Sequence, residues 1–292
     1  MRKYIGMTTM FVLSLMIFTM FNPKKQVEES FTYFPSNEAA LFQSAETTLT
    51  FMNDTQKGYE LLWRTSSVLD RKAYLRQDIS LLFGNGKLIA IMGKDWKRNE
   101  DKITLEDSTI HNESTYFEAI SFHHAEIHEN DQITSSQKHS HDALYVLDSK
   151  FHPLHSFRIP VHKQDEEWKK LIDDYINKKW VHTLENAEKQ YSFQRNQYTI
   201  FPLTTIYQYE DHPLPGFNER ESKEIIGRLW EGIYKNYFLG IRKQDGTVTE
   251  PIGSTTPLIL LANDQTHLLV ISELNDGEIM LLKQRVQENH VP

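Results

Sequence analysis

The sequence predicts an α+β chain: an N-terminal transmembrane helix, then one outer domain of antiparallel sheet with two amphipathic helices packed on it. Three observations predict this. Apolar residues alternate with period two in segments between residues 59 and 161, and short apolar runs return between 256 and 286. Two segments of helical periodicity lie between those regions. A stretch without a charge, residues 4–21, opens the chain. Strands and helices that segregate along the sequence indicate α+β architecture and argue against a doubly wound parallel sheet.

The opening stretch is flanked by Arg2 and Lys3 on one side and Lys24 and Lys25 on the other. Crossing the hydrocarbon layer takes roughly 20 apolar residues, with about 17 as a lower bound, so the run is short but sufficient. No small-residue cleavage pattern follows it, which favours an uncleaved signal-anchor over a removed signal peptide. The expected organisation is a cytoplasmic tip and single transmembrane span at 1–25, a stalk at 26–50, and an extracytoplasmic α+β domain at 51–292. The expected location is the cell membrane, single-pass, with the large C-terminal part outside the cytoplasm. The chain has no cysteine. This excludes disulfides, thiolate metal sites and a cysteine nucleophile, and suits a bacterial envelope of the Gram-positive kind. Beyond Lys25 the chain carries 28 basic and 40 acidic residues. Such a balance disfavours nucleic acid as a partner.

The β elements follow in order. Residues 59–69 are strand-like. Residues 78–93 hold two alternating runs around Asn85-Gly86, a pair that tolerates positive φ at both central turn positions. Further strands are expected at 102–105, 115–122, 143–149 and 155–161, with a turn at Asp148-Ser149-Lys150. Trp168, Leu171, Ile172, Tyr175 and Ile176 predict a helix over 165–190, with Asp165 able to cap it. A second helix is expected over 218–240. It starts with Asn218 and Glu221 at capping-box spacing, and a wide apolar stripe runs from Ile225 to Phe238. Turn signals at Asn263-Asp264 and Asn275-Asp276-Gly277 divide the C-terminal segment into a three-stranded meander.

Motifs with a defined chemistry are scarce. The chain lacks a nucleophile elbow, a Walker loop, a dinucleotide fingerprint and a helical H-E-x-x-H. Ser135-Ser136-Gln137-Lys138 fits S-x-x-K but has none of the partner motifs and falls in a strand or turn. Asn112-Glu113-Ser114 is a sequon without meaning in a bacterial protein.

The notable cluster is residues 122–142, FHHAEIHENDQITSSQKHSHD. A two-residue turn at Asn130-Asp131 would set Glu129 opposite Gln132, Phe122 opposite His139 and Ile120 opposite His141. Opposed residues share a face, so His124, Glu126, His128, His139 and His141 would lie on one side of the hairpin and His123 on the other. Imidazoles with a carboxylate suit Zn²⁺ or another divalent transition metal. Two further readings are a polar hairpin with solvated imidazoles and a pH-sensing group. The expected function is therefore a membrane-anchored, non-catalytic binding or regulatory protein of the cell envelope. Its partner would be an envelope protein or a cell-wall component. The alternative is a metal-dependent envelope hydrolase using the histidine-rich hairpin.

Overall fold

The computed structural model describes residues 33–55, 58–150, 152–243 and 246–286. A nearly closed antiparallel sheet dominates. Its strands are β1 (Phe42–Thr55), β2 (Gly58–Gly84), β3 (Lys87–Met92), β4 (Lys97–His111), β5 (Thr115–Glu129), β6 (Gln132–Ser149) and β7 (His152–Phe157). Strand β2 is the organiser, because it pairs with β1, β3, β4 and β5. Its pairing with β4 is interrupted between Val68 and Ala73. The strand turns back on itself across that irregularity. Trp63 Nε1 consequently donates to Ser80 Oγ at 3.2 Å, although a straight strand would hold residues 17 apart separated by about 56 Å. Leu49, Leu61 and Trp63 from one half meet Leu82, Phe117, Ala119 and Val146 from the other.

The sheet stops just short of closing between β1 and β6. At this seam side chains do what a ladder would do elsewhere. Asp142 Oδ2 accepts the Leu49 N–H at 2.7 Å, Arg158 donates to the Leu49 carbonyl at 2.7 Å, and the Arg158 guanidinium grips Asp142 at 2.7–2.9 Å.

The second sheet has the order β13 (Ile279–Arg285), β12 (His267–Glu273), β11 (Leu258–Ala262), β8 (Tyr198–Pro202). A two-stranded ribbon, β9 (Ile241–Arg242) with β10 (Val248–Thr249), is separate. Helix α1 spans Lys163–Tyr191, a 3-10 segment spans Leu203–Glu210, and helix α2 spans Glu219–Tyr237. Helix α2 lies between the sheets. Ile225, Leu229, Trp230 and Ile233 pack against Leu81 and Phe122 of the first sheet and Ile259 and Val270 of the second. The opposite face of the second sheet, with Leu258, Leu260 and Ile271, is covered by Leu184 and Ala187 of α1. Both faces of β11 are therefore buried, which explains why it reads as an unbroken apolar run and does not alternate.

Several expectations need correction. Among the described residues no helix is long and apolar enough to cross a membrane. Helices α1 and α2 each bury one face and carry charges on the other. The transmembrane helix of the expected fold class is thus not supported. The same holds for the single-pass membrane location, the extracytoplasmic placement drawn from it, and the membrane as partner. Residues 4–21, which prompted these readings, lie outside the described residues. Residues 42–50, read as the end of a stalk, belong to β1, and Ala40 and Leu49 are buried. Strand β7 ends at Phe157, and Ile159 and Val161 beyond it are 79% exposed. Helix α1 buries Ile172 and Ile176 while Leu171 and Tyr175 face outward, and its N-cap is His162. Asp165 sits one turn later, where its carboxylate accepts the His162 N–H at 3.1 Å and pairs with His155 at 2.9 Å.

Candidate functional site

The hairpin turns at Asn130-Asp131, with φ of 50° and 60°, and Phe122 faces His139 as Ile120 faces His141. His124, Glu126, His128, His139 and His141 do share a face, but only Glu126 and His128 engage each other. His124 is buried edge-on to Trp96 and stacked on Phe122. Burial, with Arg76 nearby, holds its pKa down at about 3. His128 bonds Glu126 and stacks on Tyr74 at 3.9 Å. His139 Nδ1 bonds Glu210, and His141 stacks on Tyr207 at 4.5 Å. Among the described residues no group of three or more His, Cys, Asp or Glu side chains could hold a metal ion. The metal-dependent hydrolase is corrected on this ground. The physical reason is spacing. Same-face neighbours along one strand stand about 6.6 Å apart, and aromatic rings and carboxylates from other elements fill the gaps.

His123, on the other face, enters a fully buried polar chain. Its Nδ1–H donates to Asp78 Oδ2 at 2.8 Å, and its Nε2 shares a hydrogen bond with Ser140 Oγ at 2.7 Å. Ser140 Oγ continues to Thr47 Oγ1 at 2.6 Å, which donates to Ser121 Oγ at 2.6 Å, and Ser121 meets Ser80 at 2.6 Å. Arg76 bonds Ser67 and lies 3.5 Å from Asp78, with Phe42 across its guanidinium at 5.0 Å. The order Asp–His–Ser has the distances of a hydrolytic triad. Yet His123 and Asp78 are 0–1% exposed, Ser140 is 9% exposed, and the Ser140 hydroxyl is already held by Thr47. No acyl group reaches that oxygen, so the set is a structural tie between the two halves of the sheet.

An accessible cleft lies at the seam. Residues 33–37 form a strap along the start of β6. Ser36 bridges Ser135 in parallel; the Ser135 N–H donates to the Pro35 carbonyl at 2.8 Å, and the Asn37 N–H donates to the Ser135 carbonyl at 2.7 Å. The strap then leaves β6. The Ala39 N–H donates to Asn37 Oδ1 at 3.0 Å, an Asx turn that sends the chain toward β1. Between Ser135 and the start of β7 pairing at Tyr145, this edge of β6 has no strand partner among the described residues. A cleft of about 380 Å³ opens there, between the strap, β6, the 3-10 segment and α2.

The chemistry of the cleft is one of hydrogen-bond acceptors. Glu38, Glu210 and Glu219 line it with Lys223, and the Lys138 ammonium stands 3.8 Å from Glu210. Burial works to raise the Glu210 pKa, but His139 and Lys138 more than offset that, and the carboxyl lies below its ordinary range. His139 is 7% exposed and also lines the cleft, and its Nε2 has no hydrogen-bond partner among the described residues. The Nδ1–H donates to Glu210, which ties the ring to the carboxylate.

No protein-family model, curated protein or solved structure matches this chain. The sequence reading missed the cleft because Glu210 stands 71 residues from His139 and shares no motif with it. It also set His123 aside. The signal that could have found the buried chain was Arg76 and Asp78, charges at alternate positions leading into the apolar run at 79–83.

Proposed function

We propose that this domain binds a cationic ligand, an ammonium or guanidinium group carried by a peptide, in the cleft at the seam. The observation that supports it most is the set of acceptors around His139 and Glu210. A partly buried carboxylate held ionised, with Glu219 beside it in the same cleft, has a donor-rich cation as its natural complement. Tyr209, which also lines the cleft, adds an aromatic ring beside the same cation.

The test is calorimetric titration with short lysine-bearing peptides and their Nε-acetylated counterparts. Binding of the lysine form, its weakening in Glu210→Gln and at raised salt, and silence of the acetylated form are expected. Equal binding of both forms, or no heat from either at millimolar concentration, would overturn the reading.

A further inference from the structure

We infer that the strap is a resident pseudo-ligand, and that the partner is an extended peptide that replaces it on the β6 edge. The inference rests on the cationic-ligand reading and names the form the ligand takes.

The strap makes poor use of its edge. In a strand the N–H and C=O of every second residue point to the same side. Ser135 directs both groups to the strap, so Gln137 and His139 direct theirs to that edge too. Glu210 closes the edge at His139 by accepting its backbone N–H as well as its imidazole. Gln137 lies between. The strap cannot reach it, because the Asx turn at Asn37 has already taken the Ala39 N–H that would pair with the Gln137 carbonyl. An untethered peptide meets no such constraint. Continued in parallel register, its residue in the place of Glu38 pairs with Gln137 and shares a face with His139 and Glu210. The strap puts a carboxylate at that position, among carboxylates. A lysine or arginine there would reverse the sign and meet its complement.

A second contact defines the other end. Tyr33 crosses α2 at Gly227, and a Cβ on Gly227 would stand 2.5 Å from the ring Cδ2 and 2.7 Å from Gln137 Oε1. Glycine inside a helix costs about 1 kcal/mol relative to alanine, so this one marks a socket for an aromatic side chain. Strand addition with a side-chain pocket is an established mode of peptide recognition. The partner should therefore present an aromatic residue and, five positions later, a basic one.

The chain's lack of cysteine makes the test clean. The probe is a synthetic peptide of sequence 33–40 carrying Asn37→Val, which removes the turn, and Glu38→Lys. The receptor is the chain with Ser36→Cys and Ser135→Cys, which locks the strap when oxidised. Fluorescence anisotropy should show binding to the reduced form and a loss of about tenfold or more on oxidation. In the all-serine chain, Tyr33→Ala should tighten binding by loosening the strap. Equal affinity of the oxidised and reduced forms overturns strand exchange and leaves the cationic-ligand reading standing. No binding to the reduced variant or to the unaltered chain overturns both. Should the double cysteine variant misfold by circular dichroism, the Tyr33→Ala comparison decides alone, and unchanged or weaker binding there overturns the exchange.

Discussion

Single residues carry the sharpest consequences of burial. His124 has a pKa of about 3 in the fold against about 6.5 when unfolded, because the buried ring cannot be charged without loss of hydration. The unfolded chain thus binds a proton that the folded chain refuses. This contribution to stability is complete above pH 6.5 and is lost as pH falls toward 3, at up to about 1.4 kcal/mol per unit. Proton NMR of the imidazole should show no titration of His124 between pH 8 and 5, and a midpoint near 6 would refute the assignment. Glu210 behaves in the same direction for its own reason. Its lowered pKa keeps the cleft anionic below the ordinary glutamate value of 4.5, so cation binding should persist through that pH and fade below it.

At the scale of elements, much of the secondary structure was legible because it is written locally. Asn85-Gly86 turns at φ of 48° and 73°, and Asn218 accepts the Glu221 N–H at 2.9 Å while the Glu221 carboxylate accepts the Asn218 N–H. Replacing Asn218 by alanine should cost about 1 kcal/mol, read as a lower urea midpoint with an unchanged slope. A shift indistinguishable from zero would show that packing of α2 between the sheets outweighs its cap. Other elements were invisible. Strand β8 is a short segment made a strand by β11 beside it, and β1 was obscured by the charged residues and prolines that precede it. The histidines illustrate the division. Their register follows from one turn and could be deduced, whereas their partners Glu210, Tyr207 and Trp96 arrive from remote segments that no spacing rule connects.

For the whole molecule, the seam is the point of least redundancy. One arginine and one aspartate hold β1 to β6 beside the Thr47–Ser140 contact, where every other long boundary of the sheet has a ladder. Arg158→Ala should speed hydrogen exchange at the Leu49 amide far more than at Trp63, whose strand is paired on both sides. Equal acceleration at both would mean that the sheet opens as one unit.

The doubling back of β2 also sets an order of assembly. Thr55 faces Gly58 at one end of β2, and Gly84 faces Lys87 at the other, so β1 and β3 can zip onto it through tight local loops. Strands β4 and β5 have to wait, since Arg76 pairs with Lys97 and Gly84 with Phe117 across longer loops, whose closure costs more entropy. The junction of β1 with β6 needs all of these in place and forms last. What closes last with the fewest bonds is what opens first under native conditions. The route by which the chain folds thus leaves its most yielding line beside the acidic cleft, where an incoming strand would need it.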